Sequence, residues 1–437
     1  MTVRSRAGRR TMHLAAHLPS ADDTTVRADP GSGERIDFAS FEHLAHTAER
    51  GLFDFFLLAE GLRLREHEDL VRGLDAVGRP EPLTVLNALA AVTTRLGLAT
   101  TVHTTLEEPY DVARRLASLD HLSGGRAAWN VDPSPDASAE ANLRRGGFPD
   151  RAERYARAAE FVQVARELWD SWRPDGAARS CVHRGRHFDL AGTFSLPRPP
   201  QGHPVVIRAG DSDEDREAAA SAADVLLTRH GTLEAGRKSY ADVKGRLAAY
   251  GREPEHLKIL PEVTFVLGDT AAEARERAAA IRRRQVSPRT AIRTLEQVWG
   301  VDLSDHDPDG PLPAFDPVPH PDPARGRARV ADPGAVAEKW RALARAKGLS
   351  IRQAVIEATG RPSFVGTPEA VAAGMDECVR SEAADGFLLV PHLTPGGLDE
   401  FVARVVPLLQ ERGAFRTEYE GTTLRSHLGL PEPVPRG

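Results

Sequence analysis

The residues best suited to chemistry are scattered through the chain but share a context, because each follows a short apolar run. His17 follows the first, Glu60 the second, His103-Thr104-Thr105 the third and Asn130 with Asp132 the fourth. The fifth run leads into Gly210-Asp211-Ser212, and His230 and His392 follow two more. Imidazole and carboxylate groups move protons or bind metals, whereas amides and hydroxyls orient a polar ring or a phosphate. Taken singly, each is better read as a satisfied loop or rim residue. The set gains weight because one architecture brings all of them to a single face. His17, His103 and Asn130 are the candidates for direct participation in catalysis.

A second group suits anion binding. Residues 209–216, AGDSDEDR, offer a glycine and a hydroxyl where a helix begins, and a helix N-terminus attracts negative charge. The acids Asp211, Asp213, Glu214 and Asp215 equally fit an N-cap with first-turn carboxylates. Tyr155, with Arg151 one turn earlier, starts a long helix on which an aromatic residue is more often core; the alternative is that the pair holds a phosphate there. No GxSxG elbow, HExxH pair or Walker loop is present, and the Thr104-Thr105 hydroxyls suit hydrogen bonding better than metal ligation, so no metal is expected.

The elements that must position these residues are legible in residues 116–131, LASLDHLSGGRAAWNV. A helix ends at Gly124-Gly125, which supply positive φ, and a short buried strand follows. Similar apolar runs predict strands at 12–18, 53–59, 96–101, 127–131, 205–209, 225–227, 259–267 and 387–390. Amphipathic helical patterns lie between them, at 38–50, 83–94, 110–123, 153–172, 233–250 and 398–412. Eight strands alternating with helices predict a (β/α)₈ TIM barrel with insertions, as a single domain over 1–437. Insertions are expected at about 173–202, where HRGRHFDLAGTF reads as a hairpin, and at about 302–332, a Pro- and Asp-rich stretch expected to be a surface loop available as a lid. A C-terminal tail starts at about 413.

Bulk properties exclude several classes. The 437 residues are 41% hydrophobic and carry a formal charge of −6 with both signs interleaved, which suits a large core and argues against nucleic acid. No apolar run approaches the roughly 20 residues of a membrane-spanning helix. Arg4, Arg6, Arg9 and Arg10 precede no long apolar stretch, so a cytoplasmic location is expected rather than secretion. Cys181 and Cys378 are far apart and read as ordinary thiols.

The chain resembles the flavin-dependent monooxygenases of the bacterial-luciferase-like superfamily, in the branch that holds nitrilotriacetate monooxygenase, pristinamycin synthase and dibenzothiophene-sulfone monooxygenase. The segments that carry the likeness include IDFASFEHLAHTAERGLFDFFLLAEGL from Ile36, ARRLASLDHLSGGRAAWNV from Ala113 and ERYARAAEFVQVARELWDSW from Glu153. PRPPQGHPVVIRAG from Pro197 and the long segment DGFLLVPHLTPGGLDEF onward from Asp385 complete them. The resemblance implies a luciferase-like barrel that takes reduced FMN as cosubstrate from a separate NAD(P)H:FMN reductase. It further implies reaction with O2 to a flavin hydroperoxide and transfer of one oxygen to a small organic substrate, in a homodimer or homotetramer. The C-terminal FRTEYEGTTLRSHLGLP stretch is expected to pack on a neighbouring copy.

Carried over by position, the resemblance assigns cofactor binding to Glu60, Thr104, Arg151, Tyr155, Gly210, Asp211 and Ser212. Glu60 stands where many members have Asp, Arg151 where many have His, and Asp211 replaces the first serine of an Ala-Gly-Ser-Ser phosphate turn. Asp132-Pro133 and Leu106-Glu107-Glu108 depart from residues common in the family, at the pocket mouth. Two other readings share the barrel: a deazaflavin-dependent oxidoreductase, against which FRTEYEGTTLR speaks, and a non-catalytic homologue that keeps the fold for binding.

Overall fold

The computed structural model describes residues 10–18, 26–27, 37–59, 80–133, 149–172, 176–318, 332–360, 363–394 and 396–434. Eight strands form the barrel: β1 (His13–Leu18), β2 (Phe55–Leu58), β3 (Gly97–His103), β4 (Ala127–Asp132), β5 (Val205–Ala209), β6 (Val225–Thr228), β7 (Lys258–Leu267) and β8 (Gly386–Leu389). Each pairs in parallel with the next, and β8 pairs with both β7 and β1, which closes the ring. All eight coincide with apolar runs of the sequence, as strands covered on both faces should. The register sharpens their ends. Leu98 to His103 pair rung by rung with Ala127 to Asp132, so His103 and Asp132 belong to the strands and do not follow them.

Helices between the strands are α1 (Phe38–Arg50), α2 (Pro82–Val92), α3 (Pro109–Ser123), α4 (Arg151–Asp170), α5 (Asp213–Ala222) and α6 (Leu233–Arg246). Their starts are written locally. Asp37, Asp150, Ser212 and Thr232 cap the first turns with side-chain oxygens, and Pro82 and Pro109 occupy first-turn positions that need no N–H. Helix α3 ends at Gly124, whose φ of 70° is the left-handed conformation expected of it. Leu116 and Leu119 of that helix are buried, but Leu122 is exposed.

Side chains separate into two cores by the two-residue period of the strands. Inside the barrel, Ala15, Phe55, Leu57, Ala99, Ala128, Val205, Ile207, Val225, Leu227, Leu260 and Leu388 form one cluster. Their neighbours, among them Leu98, Trp129, Val206 and Phe387, pack outward against the helices in a second cluster. Trp129 illustrates the outer layer, its ring 6.0 Å from Phe161 and 6.2 Å from Trp169 of α4.

The tail packs on its own barrel, where the sequence suggested a neighbouring copy. Leu424 and Leu428, in and just after the short helix Leu424–His427, join the inner cluster with Leu430 and close the bottom of the ring. A Cβ on Gly97 would lie 2.7 Å from Leu424 Cδ1, so the plug sits against the strand itself. Arg425 is buried beside it, 3.0 Å from Asp224.

The excess length before β8 is more than a loop. After β7 come α7 (Ala271–Gln285) and α8 (Pro288–Trp299), then α9 (Pro333–Lys347) and α10 (Ile351–Ala358), and α11 (Pro368–Arg380) leads to β8. Between α10 and α11 the strand Ser363–Gly366 pairs with the upper half of β7, outside the closed ring. Trp299, Leu295, Trp340 and Ile351 centre a third core in this helical unit. Residues 302–318 are irregular but tied down, with Phe315 accepting from Trp299 Nε1 and Gly310 from the Ile351 amide. The hairpin in the earlier insertion joins Ser180–Arg184 to Asp189–Thr193. Among the described residues no helix is long and apolar enough to cross a membrane.

Candidate functional site

Alternation along the strands decides what lines the barrel mouth. Two residues beyond the inner Ala15, Ala99, Ala128 and Leu260 stand His17, Thr101, Asn130 and Glu262, and a further pair of steps adds His103 and Asp132. The polar ring therefore sits directly above the apolar plug, at the carboxyl ends of the strands where barrels of this kind place their chemistry. All three candidates for catalysis, His17, His103 and Asn130, fall in this ring.

Two charged assemblies face each other in it. His103 Nδ1 is 3.1 Å from Asp132 Oδ2 across the β3–β4 rung, and Asn130 Nδ2 donates to Thr101 Oγ1 at 3.4 Å beside them. On the other side, His17 Nδ1 of β1 is 3.7 Å from Glu262 Oε1 of β7. The second oxygen of Glu262 accepts from Arg229 Nε and Nη2 at 3.1 and 3.0 Å. A buried carboxylate needs such a partner, since desolvation disfavours its charged form. Each imidazole thus lies within ion-pairing reach of a carboxylate, a contact that becomes a charged pair when the imidazole is protonated.

The second group of predicted residues lies in the wall rather than in the lumen. Arg208 of β5 points outward between α4 and α5, only 4% exposed. Its Nη1 donates to the Val131 carbonyl at 2.7 Å, its Cζ lies 5.4 Å from the Tyr155 ring centre, and its Nη2 is 3.6 Å from Asp215 Oδ1. Burial lowers the guanidinium pKa, and the nearby Asp215 opposes that. Tyr155 donates to Asp215 Oδ1 at 2.6 Å. Burial, followed by that hydrogen bond, raises the Tyr155 phenol above its usual range. Ser212 is the N-cap of α5 and forms a capping box with Asp215.

Gly210 has φ 142°, and Asp211 accepts from the Arg229 amide with both oxygens at 3.1 Å, so Asp211 ties the β5 end to the β6 end and Ser212 caps the helix. Arg151 is exposed, pairs with Glu214 at 3.4 Å and lies 5.5 Å from the Tyr155 ring centre. Thr104 is fully buried and its hydroxyl donates to the Asp132 carbonyl at 3.3 Å. Thr105 donates to the Pro133 carbonyl at 3.0 Å, and Arg154 reaches the same oxygen at 3.1 Å. His230 meets Thr228 at 3.2 Å, and His392 meets Gln285 at 2.9 Å. Glu60 lies outside the described residues.

Glu262, Arg229 and Arg208 did not emerge from the sequence reading. A signal existed for two of them: a charge at an interior position of an otherwise apolar strand, as in KILPEVTFVL and VVIRA, marks a buried ion. Among the described residues no cluster of three or more His, Cys, Asp or Glu could hold a metal ion.

Residues 18–386 match the luciferase-like monooxygenase family model. Nitrilotriacetate monooxygenase component A of Aminobacter aminovorans is 40% identical over 423 residues, covering 91% of both chains. Dibenzothiophene-sulfone monooxygenase of Rhodococcus erythropolis (strain XP) is 33% identical over 461 residues, covering 98% of both. Among solved structures, a riboflavin lyase crystallised with modified FMN and riboflavin superposes with a TM-score of 0.78 at 27% identity, covering 98% of this chain and 97% of that one. With a closed barrel, a polar mouth and likeness of this extent, the protein belongs to the luciferase-like monooxygenase family and is an enzyme of that class.

Proposed function

We propose that this monooxygenase uses reduced FMN, delivered by a separate NAD(P)H:FMN reductase, and O2 to oxygenate a small organic substrate at the barrel mouth. The observation that carries the reading is the Arg208–Tyr155–Ser212 donor set lying beside the polar ring. A buried guanidinium, two hydroxyls and a helix start, closed here on the Asp215 carboxylate, are the donors an anionic phosphate uses, while the adjoining mouth is lined by groups that hydrogen-bond a flat ring. The modified FMN in the riboflavin lyase structure supports the same assignment. A cytoplasmic setting, with its supply of nicotinamide reductant, goes with it.

Bound reduced flavin supplies the activation of dioxygen. The chain supplies the environment. Leu57, Ile207, Leu227 and Leu388 form the dry floor that keeps water from the reacting groups. His103 beside Asp132, and His17 within ion-pairing reach of Glu262, offer imidazole nitrogens that take up or release a proton on opposite sides of the mouth. Asn130 adds an amide to the same wall.

The test is an anaerobic titration with reduced FMN, then turnover of a substrate panel with reductase, NAD(P)H and isotopically labelled O2. Saturable binding and one labelled oxygen per product are expected. Failure of both reduced and oxidised FMN to bind would remove the reading.

A further inference from the structure

Asp215 is the third residue of α5, yet its carboxylate does more than cap a helix. Oδ1 accepts from the Tyr155 hydroxyl at 2.6 Å and lies 3.6 Å from Arg208 Nη2. Oδ2 accepts from the Ser212 hydroxyl at 2.6 Å and from the Ser212 amide at 3.3 Å. These donors come from α4, β5 and the β5–α5 turn, and a capping box requires only the last of them. A guanidinium, two hydroxyls and a backbone N–H converging at a helix start form the donor set of a bound oxyanion.

Arg208 is the independent sign that the set is built for more than Asp215. It is 4% exposed, and among the described residues its Nε and Nη2 have no hydrogen-bond partner, Nη2 lying 3.6 Å from Asp215 Oδ1. A buried guanidinium holding unused donors is costly unless an anion completes them. Gly210 makes the arrangement possible: a Cβ there would lie 2.1 Å from Asp215 Oδ2, and its φ of 142° disfavours any other residue.

We propose that the Asp215 carboxylate is a resident stand-in for the terminal phosphate of FMN, seated among Arg208, Tyr155 and Ser212, so that phosphate binds only by displacing it. The inference rests on the flavin reading above and deepens it. Two anions then compete for one cation, and the phosphate adds little to affinity while the ring binds unhindered. Such a device keeps the cofactor exchangeable, as a cosubstrate handed over by another protein must be.

Binding of FMN and of riboflavin, which lacks the phosphate, is compared by fluorescence titration in the intact protein. The unaltered chain should bind the two with similar affinity, within about threefold, because repulsion by Asp215 offsets the phosphate contacts. Asp215→Asn should tighten FMN by about tenfold and leave riboflavin nearly unchanged, and adding Arg208→Gln should abolish the gain. Asp215→Ser repeats the test with a shorter neutral side chain, and retained riboflavin binding reports an intact fold. An FMN-to-riboflavin ratio unchanged in whichever variant keeps riboflavin binding overturns the inference and leaves the flavin reading standing. Absence of binding of both flavins to the unaltered protein, in the reduced as well as the oxidised form, overturns both.

Discussion

His103 and Asp132 stand opposite each other on the last rung of the β3–β4 ladder, with Nδ1 and Oδ2 3.1 Å apart. The parallel register that aligns Leu98 with Ala127 carries them together, so the pair is fixed by backbone hydrogen bonding rather than by a flexible loop. A carboxylate in that position selects the imidazole tautomer and steadies its charged form.

If His103 moves protons in the reaction, His103→Gln should lower turnover by about 100-fold, the lower end of general acid–base effects. Asp132→Asn should produce a smaller loss and shift the acidic limb of the pH–rate profile downward, because imidazolium loses its counter-charge. Stopped-flow turnover against pH, beside a binding titration, checks this; an unmoved pH profile in Asp132→Asn would count against the pairing.

Glu262 joins His17 to Arg229 across the opposite side of the mouth. The Arg229 side chain is 58% exposed, so Glu262→Gln leaves a cation that water can solvate, and stability should fall by only about 1 kcal/mol. Product formed per O2 consumed should fall by an order of magnitude, as fixed charge near the reacting groups is removed. Oxygen-electrode and product assays measure that ratio directly.

The plug predicts a strong stability effect far from the site. Leu424→Ala empties a position in the inner cluster and should cost about 2–5 kcal/mol. Arg425→Met leaves Asp224 buried without its main counter-charge, at about 3–5 kcal/mol. Urea unfolding provides the comparison, and a loss below about 1 kcal/mol in both would mean the tail is not integral to the barrel.

Acid should loosen the same end of the molecule in two stages. Burial holds the His427 imidazole down at about 4 against an ordinary 6.5. The unfolded chain therefore takes up that proton first, and stability present above about pH 6.5 is lost as pH falls toward 4. Burial pushes Asp54 up, but the charges of Arg416 and His13 outweigh it and set its pKa at about 2, below 3.8. Its contribution, about 2 kcal/mol, is complete above about pH 3.8 and disappears toward pH 2. His427→Phe, which keeps a ring against Tyr419, should remove the first stage alone from an acid titration followed by circular dichroism.

The eight apolar strands, the helices between them and the polar residues at their carboxyl ends are legible in one dimension, because strand burial, caps and glycine turns are local properties written in adjacent residues. The sequence also placed His17, His103 and Asn130 at one mouth, since a closed parallel barrel leaves those residues no other face. The side on which each charge lies was decided by the tertiary structure. Arg208 sits in an apolar run, and only closure of the ring with α4 and α5 turns it outward to Tyr155 and Asp215. Glu262 meets His17 because β7, β8 and β1 close the ring across 245 residues of sequence, counted from 17 to 262. The resemblance alone leads one to expect the tail on a neighbouring copy, and only the open bottom of the barrel gives Leu424 and Leu428 their place. Long-range pairing chooses among faces that local periodicity leaves equivalent, and that choice separates the lumen of this enzyme from its wall.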